Sequence, residues 1–519
     1  MPENIVSSEV MREIAHQHLF NQFWLSLFLV IPMVLVARAV VAGTRYSAIL
    51  IIVIFGLLMG YLMVATGVTT PGLADFPMLG MIAQSTIIAL AASFFVGGQQ
   101  LRRILAGKEI PPDQSVVYSM EQVFFGTGRT HLVFIGRSFF LLLGMEALMR
   151  IVTGTIPATT LGRYYPVIAY MGLVISFIFI DYKATIQDKR IYLRKGVVEM
   201  VGLLAVLVAG FAIARWIRPT IALPQIFFVM LIACGLGAWL YRWTHGPAVR
   251  CLLFAGIPVV LAANFIIGGS RIAEALNLTG MNSVMAYGFF GQVFWMFGGI
   301  SLLILLGRSA AVRNLGPGMA GALSHAGLTG ACTAGDLGDD ATRRAPIMIN
   351  IPFFGHIFVF SILAVSIETG RLMIIPSLAV AAGGIALTAL SLRNLGRAGG
   401  DDAREVKALM QFSFGWQLTA VFGGLLLLAM SGMPVANMMM ATSSALSHFG
   451  LFAAIQGGMA GAEAAGMIAF VFAMPFLVHP MVFFMFGRAM DSEGNMPAIP
   501  AYILAGIGVV GVIVSLMLK

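Results

Sequence analysis

Over 519 residues the chain is 59% hydrophobic and only 10% charged, with a mean hydropathy of +0.94; a soluble domain carries about 25% charged residues. So few charges cannot cover a water-facing surface, which excludes an ordinary soluble domain and leaves the bilayer as the solvent. The net charge of +9 does not point to nucleic acid, because the Lys and Arg residues fall between apolar runs, where cytoplasmic loops carry them.

The first seventeen residues contain Glu3, Glu9, Arg12 and Glu13. The apolar run behind them lacks the basic flank and small-residue cleavage site of a secretory signal, so a retained span is expected. Stretches long enough to cross ~30 Å of hydrocarbon lie near 18–38, 46–66, 78–98, 132–152, 165–181, 197–214, 220–240, 250–269, 284–307, 345–367, 372–392, 409–430, 464–486 and 498–517, fourteen in all. Cys234, Cys251 and Cys332 form no CxxC pair and support neither a disulfide framework nor a zinc site. Arg137 and Glu146 sit within the fourth span; a water-filled cavity and a buried structural contact both account for them.

Basic residues recur at every second loop. Arg38 and Arg45 flank one; Arg102, Arg103, Lys108 and Arg129 fall in the next; Lys183, Lys189, Arg190, Arg194 and Lys195 crowd a third; Arg242 and Arg250 mark a fourth. The intervening loop 67–77 has no Lys or Arg. The basic loops read as cytoplasmic and the N-terminus as outside, in a multi-pass protein of a cell membrane, expected to be a bacterial inner membrane.

The second half contains an internal repeat. Ala322–Phe360 matches Ala445–Phe483 without a gap, with 15 of 39 positions identical. The matches include Ser324/Ser447, His325/His448, Gly327/Gly450, Gly335/Gly458, Gly338/Gly461, Pro352/Pro475, Phe353/Phe476 and His356/His479, and Asp340 aligns with Glu463. Composition alone would give roughly a tenth. Gln292 and the Phe-Gly-Gly at 297–299 resemble Gln417 and the Phe-Gly-Gly at 422–424. Each unit is one span, a Gly-rich segment, then two spans. The chain thus divides into an N-terminal bundle over 1–275 of about eight spans, a first repeat over 283–392 with its Gly-rich segment at 316–338, and a second over 408–517 with its segment at 435–461.

Arg308 and Arg313 precede the first Gly-rich segment and Arg343 and Arg344 follow it. All four read as cytoplasmic only if that segment enters and leaves on one face, as a re-entrant hairpin. Each unit then has three crossings, an odd number, so the second unit runs inverted. No Lys or Arg occurs from Ser431 to Gly487, as an exterior hairpin requires, and Arg393, Arg397, Arg404 and Lys407 separate the units. The expected fold is all-α: a polytopic membrane protein of about fourteen transmembrane helices plus two re-entrant hairpins in inverted-topology repeats. Irregular backbone survives in a bilayer only inside protein or beside a cavity, and inverted repeats with broken helices are the architecture of secondary transporters.

At Ser324-His325-Ala326-Gly327, Ser447-His448-Phe449-Gly450 and Ile351-Pro352-Phe353-Phe354-Gly355 the chain resembles the glutamate:sodium symporter family, over about 320–360 and 445–485. The resemblance implies ion-coupled transport, with a carboxylate such as glutamate as substrate.

Candidate substrate and ion ligands are Ser324, His325, Gly327, Thr329, Thr333, Asp340, His356, Ser447, His448, Gly450, Gln456, Glu463 and His479. Ionisable groups at membrane depth are costly and usually functional; interhelical packing is the competing role for the four histidines. The glycines supply turns and close approach, and the hydroxyls and Gln456 offer oxygen to Na⁺. Asp340 has Arg343 and Arg344 within ion-pair spacing, whereas Glu463 faces Gly466 and Met467. The expected activity is transport, not catalysis: no HExxH, GxSxG or Walker-type loop occurs. No cofactor is expected beyond Na⁺ as a coupling ion. Expected partners are a small organic anion, the bilayer and a second copy of the chain as a homodimer, with no nucleic acid. Two other classes compete: a membrane redox protein with His-ligated haem and a metal-ion carrier.

Overall fold

The structure is a computed structural model describing residues 8–42, 47–71, 76–108, 119–157, 160–178, 186–217, 223–243, 245–278, 280–305, 312–398, 402–491 and 496–518. Arg45, Lys183 and Arg308, used above to orient the chain, lie outside them.

The helices of the first half are α1 (Ser8–Val41), α2 (Ala48–Ala65), α3 (Pro77–Gln84), α4 (Thr86–Leu105), α5 (Ser119–Thr153), α6 (Tyr165–Ile178), α7 (Ile186–Ile217), α8 (Gln225–Trp239), α9 (Pro247–Cys251), α10 (Ile257–Ser270) and α11 (Ile272–Ala275). A π-turn, Leu252–Gly256, joins α9 to α10. The second half has α12 (Met281–Leu305), α13 (Val312–Leu323), α14 (Ala326–Thr333), α15 (Asp339–Phe353), α16 (His356–Thr369), α17 (Ile374–Arg397), α18 (Asp402–Met430), α19 (Val435–Leu446), α20 (Phe449–Gln456), α21 (Ala462–Ala473), α22 (His479–Asp491) and α23 (Ala498–Met517). A 3₁₀ turn, Met474–Val478, links α21 to α22.

The protein is an all-α, multi-span membrane protein. Among the described residues eleven helices are long and apolar enough to cross a bilayer, twelve if α15 and α16, bent by 43° at their junction, count as one span. Fourteen were expected; the other two positions hold α6 and α8, of 14 and 15 residues. The short bent elements have sequence causes: Pro346 and Pro352 sit inside α15, and Pro475 opens the 3₁₀ turn. Each removes a helix hydrogen bond.

The first Gly-rich segment folds back on itself. Gly316, early in α13, lies against Cys332 and Leu337 beyond the far end of α14, so the two helices run side by side in opposite senses. Asn314 bonds to Arg344, and Gly321 abuts the Met348 carbonyl, so α13 and α15 run in the same sense. Helix α12 relates the two Gly-rich segments. Gly280, just before it, faces Asn437; Gly288 and Gly291 face Ser444 and Ala445; Gly299 faces Met319. Thus α19 runs along α12 from its start, while α13 comes from the other end, and the breaks after α13 and α19 meet near Gln292.

Close approach in the first half is made by glycine on backbone. Gly60 of α2 abuts the Ile266 carbonyl, and Gly237 of α8 abuts the Phe95 carbonyl. A methyl at Gly60 has no room. Gly60→Ala should separate α2 from α10 and cost about 1–3 kcal/mol, as overpacking does. Gly80→Ala, with nothing within 4 Å, should leave the melting temperature unchanged in the same thermal denaturation assay.

Candidate functional site

Two helix breaks cross in the second half and satisfy one another. Ala326 N–H donates to Ser447 O at 2.9 Å and Phe449 N–H to Ser324 O at 3.0 Å, an antiparallel bridge between His325 and His448. Ser324 and Ser447 have φ of +51° and +48°, the left-handed region that non-glycine residues rarely occupy. Such strain persists where surrounding structure over-determines it, commonly at functional sites.

Each tip histidine caps the helix that follows. Leu328 N–H donates to His325 Nδ1 and Leu451 N–H to His448 Nδ1, both at 3.1 Å. An acceptor Nδ1 means a neutral ring carrying its proton on Nε2. The carboxamide ends of Gln292 (α12) and Gln417 (α18) stand 3.0 Å from His325 Nε2 and His448 Nε2. An amide nitrogen there would set donor against donor. A half-turn of the carboxamide exchanges nitrogen for oxygen, so Oε1 of each glutamine accepts the ring proton. Gln292 Oε1 and Gln417 Oε1 thereby gain partners and the N–H₂ groups take over the partnerless positions; Ser324 Oγ–H, 2.8 Å from the Gln417 carboxamide, donates to Gln417 Oε1. The amide N–H₂ of each glutamine then faces away from its histidine as a donor.

The second histidine of each unit packs on the opposite unit's tip. The His356 and His448 rings are 4.7 Å apart between centroids, and His479 and His325 4.8 Å. His356 lies on Phe353 at 4.2 Å and His479 on Phe476 at 4.0 Å. His356 Nδ1–H donates to Phe353 O at 3.0 Å, and His479 Nδ1 stands 3.4 Å from the Gln292 carboxamide, whose turned Oε1 accepts its proton. Their Nε2 atoms are therefore lone pairs, buried and without a partner among the described residues. His479 Nε2 abuts Gly327 and His356 Nε2 abuts Gly450, so any side chain at either glycine would displace an imidazole.

Of the candidates, Ser324, His325, Gly327, His356, Ser447, His448, Gly450 and His479 come together at the crossing. The others lie elsewhere. Thr329 is one turn into α14, its amide bonded to His325 O. Thr333 Oγ1–H donates back to Thr329 O at 2.8 Å. Asp340 is ion-paired with Arg343 in the first turn of α15. Gln456 Nε2–H donates to Asn264 Oδ1 at 3.2 Å, and Glu463 is exposed. Gln292 and Gln417 belong to the site. The likeness around them marked the repeat, but no local pattern tied them to histidines 33 and 31 residues away. Arg150 pairs with Glu146 at 2.7 Å, and the guanidinium of Arg137 lies over the Tyr192 ring; both serve structural contacts.

The site offers donors from two carboxamides and acceptors from two imidazoles, beside the N-termini of α14 and α20, whose dipoles are positive there. Among the described residues no group of three or more His, Cys, Asp or Glu is arranged to hold a metal ion, so neither the haem nor the metal-carrier alternative gains support. A cleft of about 300 Å³ lies elsewhere, lined by Ile104, Ile351, Lys407, Gln411 and others, none from the crossing.

The ring assignments are open to measurement. In ¹⁵N-histidine spectra at neutral pH, His325 and His448 should be neutral with the proton on Nε2, and His356 and His479 neutral with it on Nδ1. An Nδ1–H tautomer at His325 would reverse the glutamine orientation.

No family model matches the chain, and no curated protein or solved structure matches it.

Proposed function

We propose that the protein is an ion-coupled secondary transporter of a small organic anion, a carboxylate such as glutamate, working by alternating access at the crossing. One observation carries the reading: two broken helices that come from opposite ends of α12 meet beside two fully buried histidines, His356 and His479, whose Nε2 lone pairs have no partner among the described residues. Discontinuous helices meeting near the midplane are how transporters build their sites. In this reading the breaks are the tips of two re-entrant hairpins, inverted with respect to one another, and the N-terminus lies outside.

The chemistry of the crossing suits a carboxylate with its coupling cation. Carboxamide N–H₂ groups and helix N-termini favour carboxylate oxygens. Imidazole lone pairs accept from a proton or from an ammonium group. A site with donors and acceptors but no fixed charge can release what it binds, and an unpaired charge at the midplane would be costly. Na⁺ and H⁺ are the ions that such a carrier would couple.

The topology half of the reading is tested by labelling. Asp339 and Glu463 open α15 and α21 and are exposed. Cysteines placed there should react with an impermeant maleimide from opposite faces of oriented vesicles; reaction from one face ends the inverted-repeat reading.

The transport half is tested in proteoliposomes. Uptake of a carboxylate, screened with and without Na⁺ and across pH steps, should require an ion gradient; uphill uptake with every gradient collapsed would exclude coupling. His356→Ala and His479→Ala, which remove the two partnerless acceptors, should each weaken binding by about 1–3 kcal/mol, the cost of one buried hydrogen-bond partner. Sharing one site, they should be non-additive in the double variant. Single variants that bind fully and only melt earlier would make the histidines packing groups.

A further inference from the structure

The second half is not the only duplicated part. Leu90-Ala91-Ala92-Ser93-Phe94-Phe95-Val96-Gly97-Gly98 in α4 is matched 171 residues later by Leu261-Ala262-Ala263-Asn264-Phe265-Ile266-Ile267-Gly268-Gly269 in α10, identical at six of nine positions. Nine residues of apolar helix can match by composition. Their contacts are what count.

Equivalent residues make equivalent contacts. Gly98 abuts the Cys234 carbonyl of α8, and Gly269 the Leu57 carbonyl of α2. Gly237 of α8 abuts the Phe95 carbonyl, and Gly60 of α2 the Ile266 carbonyl. Leu57 and Gly60 stand to Cys234 and Gly237 at one constant offset of 177 residues, so α2 corresponds to α8 as α4 does to α10. The helices run in opposite senses: Gly256, just before α10, faces Ala89 in α4, whereas Asn264 within α10 donates to the carbonyl of Ala83, before α4.

The same motif reaches the second half at matched positions. Gly97 faces the Pro346 carbonyl of α15 at 2.5 Å from where its Cβ would be, and Gly268 faces the Ala469 carbonyl of α21 at 2.6 Å; Pro346 and Ala469 are partners in the 123-residue repeat. Phe94 meets Phe353 edge-on, with centroids 4.7 Å apart at 75°, and Phe265 meets Phe476 at 4.8 Å and 65°. Phe353 and Phe476 are the rings on which His356 and His479 lie. An aromatic row therefore runs from each first-half helix into the crossing: Phe94, Phe353, His356, His448 on one side; Phe265, Phe476, His479, His325 on the other.

We infer that the first half is itself an inverted pair, α2–α4 with α8–α10, and that Phe94 and Phe265 are positioning residues that set the two histidine pairs of the crossing. Each first-half helix holds one half-site through its phenylalanine and abuts the same unit through its glycine. A shift of a unit along α4 or α10 then turns the Phe–His stack it carries, so first-half register and site geometry change together. The geometry stands without the transport reading; only its effect on binding rests on that reading.

The test uses Phe94→Leu and Phe265→Leu in the full chain, with Phe134→Leu as a control. Phe134 is buried and packs on Phe254, away from the crossing. Histidine NMR should show Phe94→Leu moving the His356 and His448 signals and sparing His479 and His325. Phe265→Leu should do the reverse, and Phe134→Leu should move neither pair. For a carboxylate that the wild type binds, affinity should fall about 3- to 10-fold in both site-linked variants, the size of a lost aromatic pair. Should a leucine variant fail to fold, methionine takes its place. Histidine signals left in place by both variants, with only the melting temperature lowered, would overturn the inference. A wild type that binds no carboxylate, with the side-specific NMR shifts present, would instead count against the transport reading alone.

Discussion

Everything in the second half depends on two hydrogen bonds, Ala326 N–H to Ser447 O and Phe449 N–H to Ser324 O. A helix broken inside the packed protein exposes amides and carbonyls that water cannot reach, at several kcal/mol per unpaired group. Here each break supplies what the other lacks. Neither is stable without its mate, so the two had to be brought to one point. Two copies of one unit, approaching α12 from opposite ends, do that with a single local sequence. The left-handed serines turn the chain at the crossing, and glycines at 327 and 450 admit an imidazole from the other unit. The tip histidines cap the helices that leave the break, taking up the amides of Leu328 and Leu451.

Much of this was legible because it was written twice. The Ser-His-x-Gly elements, the second histidines and the prolines that bend their helices all stand out as paired identities in the sequence. The repeat did not say which residues of a Gly-rich segment face the crossing. Thr333, Asp340, Gln456 and Glu463 lie on the same segments or just beyond them, and the structure gives them a helix carbonyl, an arginine, an asparagine of α10 and open surface instead. Gln292 and Gln417 were visible as a likeness and silent as ligands, since their partners sit on other helices. The first-half duplication was harder still. Its pairs are exchanged, α2 on α10 and α8 on α4, so no contiguous stretch looks like a unit. Its link to the site, Phe94 to Phe353, joins residues far apart in sequence.

The twofold likeness is broken in specific places. Ser324 Oγ reaches Gln417 at 2.8 Å, while Ser447 Oγ has no partner among the described residues. Asp336, in the turn after α14, accepts from Ser47 Oγ–H at 2.7 Å at the start of α2; Met459 stands at the matching place, in a turn with Gly457 and Gly458 exposed. Asn314 bridges Arg344 and Glu405 at one end of the crossing units, and Met467 replaces the arginine in the other copy. The two units thus share a sequence but not their contacts.

Neutral groups are the physical solution to a crossing as deeply buried as this one. A buried charge without a partner would cost far more than a lost hydrogen bond. Imidazole and carboxamide each carry both a donor and an acceptor, so either can exchange one partner for another without creating a charge. The tip histidines use both nitrogens to hold the crossing together. The second histidines use one nitrogen to fix their rings and leave the other as a lone pair. The division of labour follows from position: a ring that caps a helix cannot also present a free lone pair, and a ring stacked on phenylalanine beside a glycine can. The stacked pair, His356 and His479, is therefore the part of the crossing that keeps an unused acceptor while its backbone stays paired.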